Sequence, residues 1–454
     1  MFAGIHTSTA RQVAGMASDH TTPSAGEGDE PFRLTPFHPA GVLFLFVGLL
    51  FGIYQGLAQF DAVPTVSWMT WSHLHYVTIG GFTQLVFGTL PQLVARKLDR
   101  PGPSRGYTWL NFLVLNGAFL ALWVGRGWNE PLAFDLGLYA VFAIVLGLWV
   151  VLFGMVMRAE GDLAWDPTIG LYLVAVFVFL WGITYAYGLF AHVWDVPGGW
   201  LGLREGHVHA NGWGFLGLTA VGTLYHLFPR LAGADLHSPQ LQGYSFWLFA
   251  TGIFPLITGP WLGMGRTVTM TGVVLFGSGY VLFLYTMIRT YLAGSRSGLA
   301  LSVLSAQFWL LAPAGFAPFV IFGIEWVDPA LIERGALHWF FVGWALPIAL
   351  GGLILFARNL SCPVHGRPGR PDGEGPALLI TERIRSSMPT WLVLVWNVAV
   401  LVVGVGFFYQ NTDWALALLG PGYTVIAVVW GYQLLRAVSL RRSAVRGSAA
   451  AAVD

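Results

Sequence analysis

The chain has 454 residues, of which 56% are hydrophobic and 10% charged, with a net charge of +1. A soluble domain carries about 25% charged residues, so a soluble enzyme and a disordered protein are both excluded. The near-zero charge leaves no basic field for nucleic acid. The lone cysteine, Cys362, excludes a disulfide framework, an iron–sulfur cluster and a Cys-x-x-Cys-His haem attachment.

Residues 1–36 are rich in Gly, Ser and Thr and have no apolar core, so they read as a flexible tail rather than a signal peptide. Apolar runs long enough to span a bilayer, about 20 residues each, then follow in close order. They fall at 38–60, 71–95, 106–125, 133–157, 168–193, 204–229, 242–262, 265–291, 298–323, 335–357, 388–410 and 414–436. Lipid offers no partner for free backbone groups, so all twelve are expected to be helices. Pro255, Pro313 and Pro347 then mark kinks inside spans. Residues 438–454 read as a second tail.

Lysine and arginine set the orientation. With twelve spans, one face holds 19 of the 23 basic residues and both termini, and only Arg126, Arg204, Arg266 and Arg334 lie on the other. Both termini are therefore expected in the cytoplasm of a multi-pass plasma-membrane protein.

A repeat runs through the spans. His73-Leu-His75, Gly80 and Gly88-Thr89-Leu90 in the second recur as His207-Val-His209, Gly214 and Gly222-Thr223-Leu224 in the sixth, each 134 residues later. The tenth carries His338 and Gly351-Gly352-Leu353, 263 residues after His75 and Gly88. The pattern predicts an all-α membrane protein of twelve helices in three pseudo-symmetric four-helix units (37–160, 165–293 and 297–437) within one domain, 37–437.

A histidine inside a bilayer is rare and marks function by default. A single one near a helix end is ordinarily interfacial, but two pairs in register plus a third at the matching place point away from that. Residues two apart on a helix lie about 200° apart, so each pair faces two sides of its helix. One pair cannot readily hold one zinc ion, whereas flat cofactors between helices suit it, and haem takes axial imidazoles from facing helices. The candidate ligands are His73, His75, His207, His209 and His338, with His192 on the same side as a further metal ligand or an interfacial residue. His38, His226, His237 and His365 lie toward the cytoplasm with no evident partner, and Cys362-Pro-Val-His365 sits in a Pro/Gly-rich loop. Trp194, Trp200, Trp326 and Trp339 read as an interfacial belt, while Trp213 and Phe215 are placed to wall a porphyrin. No acidic or basic residue lies deep in a span, which argues against a carboxylate-driven pump.

The stretch Glu205-Gly-His207-Val-His209-Ala-Asn-Gly-Trp213-Gly, continuing to Gly222-Thr-Leu-Tyr225-His-Leu-Phe-Pro229-Arg230-Leu, resembles the two-histidine helix of haem–copper oxidase subunit I. The cbb-type oxidase and nitric oxide reductase branch is the nearest in pattern. The resemblance implies a subunit I-like fold with one or two b-type haems, and copper or non-haem iron as a further metal. It implies that His207 ligates a high-spin haem and His209 a low-spin one. It also implies respiratory electron transfer with reduction of oxygen or nitric oxide, a small gas as ligand, and quinol or a separate redox protein as donor. Two readings stay open beside this oxidoreductase: a non-catalytic haem or copper protein that relays electrons or binds nitric oxide, and a transporter with histidine proton carriers. No catalytic residue is assigned.

Overall fold

The computed structural model describes residues 32–59, 61–98, 100–159, 166–191, 195–324, 328–361, 388–409 and 413–450. Among them the regular structure is helical throughout. The rods are α1 (Phe37–Gln59), α2 (Met69–Lys97), α3 (Arg105–Gly127), α4 (Pro131–Met157), α5 (Pro167–Phe190), α6 (199–232), α7 (Pro239–Trp261), α8 (Gly265–Ala293), α9 (Gly298–Ile321), α10 (329–361), α11 (Thr390–Phe408) and α12 (Asp413–Ala450).

Ten of these helices are long and apolar enough to cross a membrane, which makes the chain a polytopic membrane protein. The exceptions are α6 and α7, both expected as spans. They are long enough, but α6 carries Arg204, Glu205, three histidines and Arg230, and α7 carries Gln240, Gln242 and three prolines. The final helix continues to Ala450, into the stretch read as a tail. His6, His20, His192, Cys362 and His365 lie outside the described residues, as do Trp194 and Trp326.

Helix starts follow ordinary capping chemistry. Asp166 accepts from the backbone N–H of Thr168 at 2.7 Å and Ile169 at 3.3 Å, Ser104 from Tyr107, and Ser297 from Ala300. Gly233, at φ +71°, closes α6 in the left-handed conformation that glycine adopts without strain.

The outer helices form a closed circuit: α4 packs on α5, α8 on α9, and α12 returns to α1. The interior belongs to α2, α6 and α10. In α2, 78% of the apolar window is buried, against 17% in α1, so α2 is a core rod and α1 a lipid-facing one. Phe82 of α2 lies near-parallel to Phe341 of α10 at 6.1 Å, and Trp213 of α6 meets Phe340 of α10 edge-on at 5.8 Å.

These three inner helices share an irregularity. Each is α-helical up to a histidine, then turns π-helical, then returns to α: the π segments are Tyr76–Thr83, Ala210–Gly217 and Trp339–Ala345. They begin immediately after His75, His209 and His338, at the same separations of 134 and 263 residues as the sequence repeat. Each π segment is covered by the helix one before it in the chain, α1, α5 or α9. A π turn admits one extra residue and tends to occur at functional sites.

Several polar residues buried along the bundle pair with one another, which offsets the cost of withdrawing them from water. Gln84 donates to Asn116 at 3.0 Å, Trp309 to Asn397 at 2.6 Å, and Gln307 accepts from Trp344 at 2.9 Å and from Tyr280 at 3.1 Å.

Candidate histidine cofactor site

Five of the candidate ligands fall at one level of the bundle, at the starts of α2, α6 and α10, which therefore run the same way. Each of the five residues is partly buried in the bundle.

The Nδ1 atoms are held in two ways. His73 Nδ1 donates to the Gly48 carbonyl of α1 at 2.7 Å, and His207 Nδ1 donates to the Gly182 carbonyl of α5 at 2.9 Å. Both acceptors lie 25 residues before their histidine. His75 and His338 instead donate to the carbonyl four residues back on their own helix, Trp71 at 2.8 Å and Arg334 at 2.6 Å. A carbonyl only accepts, so Nδ1 carries the proton in all four rings and Nε2 keeps its lone pair. Metal-ligating histidines are oriented in this manner.

Glycine makes the α1 contact close enough. A methyl at Gly52 would lie 2.8 Å from His73 Cε1, and one at Gly48 would lie 2.7 Å from Val77 Cγ2. The α5 contact is equally tight, since a methyl at Gly182 would meet Asn211 Oδ1 at 2.3 Å. The Asn211 amide donates to the His207 carbonyl at 2.9 Å and lies 3.0 Å and 3.3 Å from the two ring nitrogens.

The rings also meet across helices. The centroids of His73 and His338 are 6.1 Å apart with planes 19° from parallel. Two imidazoles that share one ion through nitrogens at about 2 Å have centroids roughly 6 Å apart. Phe407 stacks on His338 at 3.7 Å, and Tyr423 approaches its ring edge-on at 5.9 Å. The histidine ring contact of His338 is therefore with α2.

His209 differs from the other four. The Glu205 carbonyl lies against its ring, but Nδ1 is buried without completing a hydrogen bond. Nearby, Arg204 forms ion pairs with Glu333 of α10 and, at 3.8 Å, with Glu205. Sequence reasoning missed this charged cluster between α6 and α10. It also missed the Gly48 and Gly182 acceptors, whose shared 25-residue offset was the available signal.

Two aromatic expectations are corrected. Trp339 is buried, its Nε1 donating to the Val400 carbonyl at 3.2 Å, so it belongs to the core and not to an interfacial belt. Phe215 stacks on Phe179 at 4.0 Å and is fully buried, which leaves it no free face for a porphyrin. Among the described residues no group of three or more His, Cys, Asp or Glu is arranged to hold a metal ion. A two-imidazole axial site needs no such group.

No family model matches the chain. A 58-residue stretch is 38% identical to the cbb3-type cytochrome c oxidase subunit CcoN1 of Stutzerimonas stutzeri. The match covers 13% of this chain and 12% of that protein's length. This partial similarity, with the many apolar helices, is compatible with a relative of haem–copper oxidase subunit I.

Proposed function

We propose that this chain is a haem b-binding membrane protein of respiratory electron transfer, related to oxidase subunit I. Its twelve helices, α6 and α7 included, span the plasma membrane in three four-helix units with both termini cytoplasmic. The repeated π turns and the closed outer circuit support the threefold layout. The excess of basic residues on the terminal side supports the orientation.

The observation that carries the reading is the His73–His338 pair: 6.1 Å between ring centroids, with both Nδ1 atoms tied to carbonyls and both Nε2 atoms left free. In this reading His73 and His338 would hold a haem, and the group would supply a one-electron couple when bound. The residues fix the ligand tautomer through Gly48 and Arg334, orient the rings, and keep water away with Phe407 and Tyr423. Electrons come from quinol or a separate redox protein, since the sequence has no attached-haem motif of its own.

Reduction of oxygen or nitric oxide needs an open coordination position beside a second metal. The sequence contains no adjacent His-His pair to build a copper centre, and both imidazoles of the pair would be taken up in holding the haem. The geometry therefore favours electron relay over gas reduction at this pair.

The test is a reduced-minus-oxidised optical spectrum of the purified chain beside His73→Ala and His338→Ala. The expected result is a haem b spectrum in the wild type that weakens in both variants. A wild type without a Soret band, or two variants indistinguishable from it, would overturn the proposal.

A further inference from the structure

We propose that the C-terminal ends of the membrane spans in α8 and α12 each carry a binding site for the phosphate of an anionic phospholipid, built from a tyrosine and an arginine one helical turn apart. The sites follow from the chain's being membrane-embedded and do not depend on haem.

Val274, Ser278, Val281, Tyr285 and Arg289 of α8 are exposed and spaced three or four residues apart, so they form one stripe along the helix. The end of this stripe recurs 147 residues later on α12 as Val428, Tyr432 and Arg436. The geometry recurs with the residues. Arg289 Nη1 donates to the Tyr285 hydroxyl at 3.3 Å, with its guanidinium carbon 5.8 Å from the ring centroid. Arg436 Nη1 donates to the Tyr432 hydroxyl at 3.4 Å, with the guanidinium carbon at 5.9 Å. Both helices are long and apolar enough to cross a membrane, and Arg436 is the last residue of its span. An exposed apolar stripe on such a helix lies against acyl chains. A tyrosine and an arginine at its end fall at the level of the headgroups.

The hydrogen bond inside each pair decides what binds there. Tyrosine accepts from arginine, so its own O–H proton is directed elsewhere, and the guanidinium keeps further N–H donors. The pair therefore presents donors and a positive charge, which suit a partner rich in acceptors and anionic, as a lipid phosphate is. Among the described residues Arg289 forms no ion pair that would neutralise it. The His237 ring meets Tyr285 edge-on at 5.7 Å, and the His237 backbone N–H donates to Thr290 at 3.0 Å, which holds a further polar group beside the pair on α8. The first unit supplies the contrast. Val150 of α4 and Arg158 at its end stand 131 residues before Val281 and Arg289, but Gly154 takes the place of Tyr285. A methyl at Gly154 would meet nothing within 4 Å, so packing does not forbid a side chain there. That unit has the arginine without the site.

The experiment is native mass spectrometry of the full chain, purified in detergent and titrated with phosphatidylglycerol or with phosphatidylcholine of the same acyl chains. We expect two tightly retained phosphatidylglycerol molecules per wild-type chain, and phosphatidylcholine held several-fold more weakly. Arg289→Gln and Arg436→Gln each weaken one site about fivefold, the effect of one cation at an anionic surface, and the double variant retains neither lipid tightly. Tyr285→Phe and Tyr432→Phe, which remove one exposed oxygen each, weaken the same two sites. Arg158→Gln leaves the count at two, and Gly154→Tyr raises it to three. Equal retention of the two lipids, or a double variant that still holds both molecules, overturns the proposal. A dimer that Arg289→Gln or Arg436→Gln dissociates with the lipid count unchanged assigns the face to a second copy of the chain and overturns it too. None of these residues is a candidate haem ligand, so failure here leaves the haem reading standing.

Discussion

Two backbone carbonyls, at Gly48 and Gly182, decide which nitrogen of His73 and His207 can serve a metal. They reach the rings because α1 and α5 present glycine at the contact, and on α1 the next glycine on the same face is Gly52, four residues on. Gly52→Ala places a methyl 2.8 Å from His73 Cε1, so the ring must turn. We expect a several-fold loss of bound haem, read from the Soret absorbance per protein, while Gly56→Ala, with nothing within 4 Å, leaves it unchanged. Away from the histidines, Asp166 ties α5 to α2 through Lys97 at 2.6 Å. Partial burial works to raise the Asp166 pKa, but the Lys97 ion pair and the Thr168 hydrogen bonds outweigh it and hold the carboxyl below the usual carboxylate range. Its stabilising contribution is therefore complete at neutral pH and is lost as the pH falls through that lowered value. Asp166→Asn is expected to cost about 1 kcal/mol at pH 7, and the gap in thermal unfolding between variant and wild type should close in acid. The histidines themselves were legible, because imidazole is rare in lipid and the spacing repeats. Their acceptors were not, since a carbonyl contributed by another helix leaves no mark in composition or local periodicity.

The π turns do for the inner helices what no single residue does. An extra residue per turn rotates everything before it by about 100° relative to the regular helix. The turns thereby set the azimuth of the histidine-bearing segments against the packed lower halves of α2, α6 and α10. Deleting Gly80 from the Tyr76–Thr83 segment would restore regular helix and swing His73 off His338 and the Gly48 carbonyl. The expected outcome is loss of the haem spectrum with helical circular dichroism retained; a spectrum unchanged by the deletion would mean the π turn has no part in ligation. The sequence showed the glycines of these segments but not their geometry, because these inner helices are apolar on nearly every face and leave no stripe whose shift would mark the extra residue. The same blindness worked in reverse for Trp339 and Phe215, where aromatic composition suggested an interface and a porphyrin wall but packing had already claimed both rings.

The bundle as a whole was legible as membrane-embedded from its apolar runs alone. Apolarity faded at α6, an inner helix with Arg204, Glu205 and Arg230, and at α7, which carries Gln240, Gln242 and three prolines. The proposed topology places the turn between α6 and α7 in the cytoplasm and the turn between α7 and α8 outside. Cys362 is the one native thiol, so a Cys362→Ser background permits a clean test. A membrane-impermeant maleimide should label Met264→Cys in sealed cells and Asp235→Cys only after permeabilisation. Labelling of both from outside would remove α7 from the membrane and with it the three-unit arrangement. The assembly is argued to exist so that imidazoles from different helices converge on common iron. Low-temperature electron paramagnetic resonance of the ferric protein reads that convergence directly. The account predicts low-spin signals of two-imidazole ligation in the wild type that turn high-spin or disappear in His338→Ala. A wild type without low-spin haem iron, or a His338→Ala spectrum identical to it, would contradict the account.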